Sequence, residues 1–178
     1  MLSAARVTGL TPWLGRLALL GVLYFFLASA VVQFLRPDYS FMGTPLSFYL
    51  LGPHGGWLHS AFYTLAAAIV LLATGLYLGS EHGARTAATL LLFTLGAAGV
   101  AVTAIFPTDK TATLTLDGTI HIFAAVVAFL CTSVAMLIQS WYFRRTPRWR
   151  PHFRPAMELA AFEFAVLWWY ALLHFPAR

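Results

Sequence analysis

Acidic and imidazole side chains are scarce in this chain, with six histidines and six Asp plus Glu residues. Asp117 and His121 are four residues apart, so on a helix they share one face, about 6 Å apart along the axis. A carboxylate so placed can fix an imidazole tautomer, share a metal with it or act as a base. Asp109 follows directly on Phe106-Pro107-Thr108, and His54 and His59 bracket Gly55-Gly56-Trp57-Leu58. His59, His121 and Asp109 are therefore candidate ligands for a metal such as zinc, with Asp117 as candidate catalytic base or as the group that orients His121. The spacing limits this reading. Zinc enzymes usually carry a tight ligand pair three or four residues apart, whereas no HxxxH or HExxH occurs here. A b-type haem would instead need His59 and His121 facing each other at one depth. A purely structural assignment competes with both: Asp117 caps a helix beside Gly118, Asp109 forms an Asx-type turn after Pro107, and the histidines hydrogen-bond across a helical bundle.

The elements that must position these groups are set by composition. Of 178 residues, 60% are hydrophobic and only 10% charged, and the mean hydropathy is +0.77. Seventeen Asp, Glu, Lys and Arg residues cannot coat a soluble domain of this size. The apolar runs do not alternate, which excludes a β-barrel and leaves an all-α membrane bundle. Five stretches are long enough to cross a bilayer: 17–35, 57–79, 86–106, 118–143 and 156–175. One domain, 1–178, holds them all, because no gap has room for a second. Ala28-Ser29-Ala30 resembles a leader cleavage site, but the apolar run continues beyond it to Leu35, as an uncleaved anchor does. Cys131 is the single cysteine, so no intramolecular disulfide forms, and its place mid-run reads as an inert packed thiol.

Alternating the loops places Arg6, Arg16, Arg85, Arg144, Arg145, Arg148, Arg150 and Arg154 on one side, against Arg36, Lys110 and Arg178 on the other. The positive-inside rule then puts the amino terminus in the cytoplasm and the carboxyl terminus outside. Topology accounts for the net charge of +5, so nucleic acid is not an expected partner. The loop 144–155, rich in Arg, Pro and Trp, suits contact with anionic headgroups. The small residues Gly96, Ala97, Ala98, Gly99 and Ala101 place the third span in the middle of the bundle. Glu163 lies about 12 Å along the axis from Pro155, too deep to snorkel, and calls for a partner such as Gln139 or Ser140.

The first outer loop is longer than a connection requires. Its stretch from Pro45 to Pro53 is amphiphilic but too short to span, and is expected as a short interfacial or re-entrant helix. Folded as a lid, it would bring Asp38, Tyr39 and Ser47 over a polar pocket with His54, His59 and His121, open to an amphiphile or cofactor.

Arg36-Pro37-Asp38-Tyr39-Ser40, Leu46-Ser47 with Leu51-Gly52-Pro53, and Phe106-Pro107-Thr108-Asp109 with Gly118 and His121 resemble a family of prokaryotic polytopic membrane proteins. That family is classed as a domain of unknown function and marked by an FPTD signature and a later G-x-x-H. The resemblance implies a small helical bundle in a bacterial or archaeal cytoplasmic membrane, and it brings no reaction with it. Members often have six spans, against five here. A more distant similarity is to seven-span ceramidase and adiponectin-receptor type hydrolases, from which this chain departs by having Gly55 where a serine is expected and by lacking the closing HxxxH. The reading that follows is a lipid- or cofactor-binding or accessory membrane subunit, with membrane lipid, other subunits or a second copy as partners. A metal-dependent hydrolase or transferase acting on a lipid-like substrate is the alternative.

Overall fold

A computed structural model describes residues 4–81, 85–111 and 113–174. Among these residues the secondary structure is entirely helical: α1 Ala4–Phe34, α2 Gly55–Gly79, α3 Ala87–Ile105, α4 Leu116–Phe143 and α5 Phe153–His174, with short 3-10 helices at Leu46–Leu50 and Arg150–His152. Phe175, the expected end of the fifth span, and Arg178 lie outside the described residues. The helix ends follow from local chemistry. Pro37 and Pro107 disfavour helix in the residue before them, so α1 and α3 stop just short of each. Thr86 and Thr115 cap α3 and α4, their hydroxyls accepting from Ala88 N and Gly118 N.

Four segments are long and apolar enough to cross a membrane: Gly9–Phe34, Gly55–Gly79, Ala87–Ile105 and Leu116–Phe143, with mean hydropathies of 2.2, 2.0, 2.1 and 2.3. The protein is thus a helical membrane protein. Among the described residues four helices meet both criteria. α5 has the length, at 22 residues, but Glu158, Glu163 and the Trp168-Trp169-Tyr170 run lower its apolarity.

The substantial packing contacts between long helices all join chain neighbours: α1 with α2, α2 with α3, α3 with α4, and α4 with α5. The bundle is therefore an open up-and-down row rather than a closed ring. α3 occupies its centre, as the small residues foretold. A Cβ on Gly99 would lie 2.6 Å from Ala124 O, and one on Gly96 would collide with Thr132 Oγ1. Bare glycine backbone there lets α3 and α4 approach closely, which supplies dispersion contact where lipid removes the hydrophobic drive.

The loop between α1 and α2 folds inward. Tyr49 and Leu50, from the first 3-10 helix, are buried with Ala28, Val32, Leu58 and Ala61. The expected short helix is present, and it seals the α1–α2 end of the row.

Candidate functional site

The α3–α4 connection closes on itself through the residues singled out from sequence. Asp109 accepts two hydrogen bonds from Thr115, one from its backbone N–H and one from its hydroxyl, each 2.8 Å. Thr115 Oγ1 in turn accepts from Gly118 N at 3.1 Å. The Asp109 carboxylate packs so closely on Gly118 that a Cβ at that position would collide with it. One turn further along α4, His121 is 5% exposed, and its Nδ1 lies 2.8 Å from Phe106 O. A carbonyl only accepts, so Nδ1 carries the proton and donates. Phe106 and Asp109 are thus each pinned to the first turns of α4, one by His121 and the other by Thr115 against Gly118. The five positions form a clasp.

A second polar knot lies at the same end. Arg36 is 6% exposed. Its Nε and Nη2 donate to the two Asp38 oxygens at 2.8 and 2.7 Å, and its Nη1 donates to Leu51 O at 2.8 Å. The forked pairing fixes the guanidinium, and its Nη1 bond ties the start of the loop to its end. The guanidinium also lies 4.4 Å from the Tyr39 ring centroid, and Lys110 Nζ approaches the same ring at 5.4 Å. Tyr39 therefore joins the two loops. Arg36 holds the Asp38 carboxyl below its ordinary value, while Lys110 first and Arg36 next hold the Tyr39 phenol below its own. Arg36 itself is raised by its bond to Asp38.

The sequence-derived site residues are only partly gathered. Asp109 and His121 share the clasp, and Asp38 and Tyr39 share the Arg36 knot. Asp117 is exposed in the first turn of α4. It is not the cap, because the helix already begins at Leu116 and Thr115 takes that place. Asp109 does not make a local Asx-type turn, since its oxygens reach forward to Thr115. Ser47 is half-buried in the first 3-10 helix. His54 is exposed and left-handed, with φ 65°, immediately before α2. His59 is half-buried in α2, and none of the bonds of the clasp reaches it. Among the described residues no three His, Cys, Asp or Glu side chains come together as a group able to hold a metal ion, so His59, His121 and Asp109 do not form the expected ligand set. The bond at Nδ1 orients Nε2 of His121 as a ligating histidine is oriented, but no such group of ligands gathers around it.

Three positions escaped the sequence reading. Arg36 was visible only as part of a motif, although an arginine at a span end followed by Pro-Asp is a signal for a forked pair. Thr115 precedes Leu116-Asp117-Gly118 and competes with Asp117 for the cap on equal terms until the helix start is known. Ser133 donates to Glu163 Oε1 at 2.8 Å, whereas Gln139, the expected partner, accepts from Thr89 at 2.9 Å. The antiparallel α4–α5 hairpin explains this: Ser133 and Glu163 lie equally far from Phe143 and Phe153, the ends joined by the turn.

The far end of the row differs. Ser80 Oγ, Arg85 Nε, Gln139 Nε2, Thr146 Oγ1 and Trp149 Nε1 are buried there without a hydrogen-bond partner. Between the end of α4 and the start of α5 lies an open cleft of about 450 Å³. The loop 144–155 beside it carries five arginines and no acidic residue.

In comparison with known proteins, the family model described as a protein of unknown function, DUF998, matches residues 19–177. No curated protein matches the chain. No solved structure matches it either.

Proposed function

The chain belongs to the DUF998 family of unknown function, and from its geometry we propose that it is a non-enzymatic, lipid-binding accessory protein of the membrane. One observation carries this reading: Asp109 and the Nδ1 of His121 close the chain on itself, and among the described residues no group of three ligating side chains gathers around His121. His121 holds Phe106 O, and Asp109 holds Thr115. A general base or a ligand needs a free lone pair aimed at a substrate or ion. The Asp109 oxygens are instead directed at the chain's own N–H and hydroxyl. The open row supports the same reading, because helices packed mainly on chain neighbours leave long apolar faces for lipid or for another subunit. The arginine-rich end faces the cytoplasm in this proposal, where lysine and arginine concentrate.

Protein purified in a mild detergent tests it, with co-purified lipid measured by mass spectrometry and metal by elemental analysis. Retained phospholipid that survives His121→Ala is the expected result. Stoichiometric metal together with cleavage of an amphiphile, both lost in His121→Ala, would replace this reading with that of a hydrolase.

A further inference from the structure

We propose that the cleft between the end of α4 and the start of α5 is a binding site for one anionic phospholipid, with Arg145 as the group that holds the phosphate. The inference rests on the lipid-binding reading above and names the lipid class and the site. The cleft is lined by Leu137, Ile138, Trp141, Tyr142, Arg145 and Met157. Leu137 and Ile138 lie toward the interior of α4, while Arg145 lies just past its end, so the lining runs from apolar to cationic. Its volume of about 450 Å³ is widely open to the surroundings, so a headgroup and the first part of a chain would rest against it rather than be enclosed.

The basic groups are free to take an anion. Arg144 stacks 3.3 Å from the centroid of the Trp141 ring, and Arg145 4.1 Å from that of Tyr142. Stacking occupies the face of a guanidinium and leaves its in-plane N–H donors for a phosphate. The sole ion pair among the described residues is Arg36 with Asp38, at the opposite end. Glu158, the acidic residue beside Met157, is exposed and does not pair with Arg145. The Trp and Tyr residues mark the headgroup level, where their amphipathic rings settle. Free phosphate would leave the Leu137, Ile138 and Met157 wall uncovered, whereas a phospholipid matches both halves.

Native mass spectrometry of the whole chain in detergent tests the proposal, titrated with phosphatidylglycerol, with phosphatidylcholine and with inorganic phosphate. Phosphatidylglycerol is expected to bind in preference to phosphatidylcholine. Arg145→Gln weakens phosphatidylglycerol about fivefold and leaves phosphatidylcholine unchanged. Arg148→Gln, outside the lining, has a clearly smaller effect. Equal losses from the two substitutions would overturn the cleft in favour of a diffuse basic surface. Displacement of the lipid by inorganic phosphate at comparable concentration would overturn the phospholipid as occupant. In both cases lipid binding itself stands. Retention of no lipid by the unmodified protein would remove the broader reading as well.

Discussion

The two ends of the helical row solve opposite problems. At the end formed by the α1–α2 and α3–α4 loops, Arg36, Asp109, Thr115 and His121 all find partners within the chain, and a buried short helix closes the surface. At the other end, donors from Ser80, Arg85, Gln139, Thr146 and Trp149 have no partner, and the arginines of the α4–α5 loop have no carboxylate. A buried donor without a partner costs about 1–3 kcal/mol, so this end is held less tightly by its own hydrogen bonds than the other. Chemically rich residues thus mark architecture at one end, and plain arginines and aromatics mark the candidate binding surface at the other.

Substitutions separate the two roles. Gly118→Val is expected to have the largest effect, lowering stability by about 3 kcal/mol because the new side chain displaces the Asp109 carboxylate. Gly56→Val is its control, since nothing lies within 4 Å of a Cβ there. Reversible unfolding in detergent measures both, and equal effects would dissolve the clasp. Arg36→Met is expected to destabilise next most, since Leu51 O and Asp38 lose their donor. His121→Phe follows at about 1.5 kcal/mol, from the unpaired Phe106 carbonyl. Both should leave lipid preference intact, which titration of each variant with phosphatidylglycerol checks.

Two smaller effects sharpen the contrast. Asp38 has a folded-state value below its ordinary 3.8, so its contribution is complete above that ordinary value and is lost as pH falls through the lowered one. An acid titration of stability should show this loss in the native chain and not in Asp38→Asn. Arg145→Gln should change the stability of the lipid-free protein by no more than about 0.5 kcal/mol. A larger loss would make the α4–α5 turn a structural knot like the other end.

Much of the architecture was legible because it depends on composition and period. The apolar runs gave five helices, Pro37 and Pro107 gave two of their ends, and Gly96 with Gly99 gave the central place of α3. The amphiphilic stretch around Leu46–Leu50 gave the short helix. The site was less legible, because the types of Asp and His do not reveal what they face. Asp109 and His121 both fasten the α3–α4 connection, and a backbone N–H, a hydroxyl and a backbone carbonyl, invisible in a residue pattern, take up their bonds. Asp117 lost the cap to Thr115 over a helix start differing by two residues. His59 could not be brought into a ligand set by sequence arithmetic, since its height in α2 says nothing about which neighbour it meets. The cleft was hidden for a different reason: it depends on α5 folding back on α4, so the sequence pointed to a basic loop suited to headgroups but not to a cleft beside it.

Thermal unfolding with and without added phosphatidylglycerol, run in parallel on the unmodified chain, His121→Phe and Arg145→Gln, weighs the two ends directly. Ligand that binds only the folded state raises its melting temperature. The lipid should raise that of the unmodified chain and of His121→Phe by the same amount, and that of Arg145→Gln by clearly less. A lipid shift abolished in His121→Phe and preserved in Arg145→Gln would place the binding surface at the clasp and contradict the assignment made here.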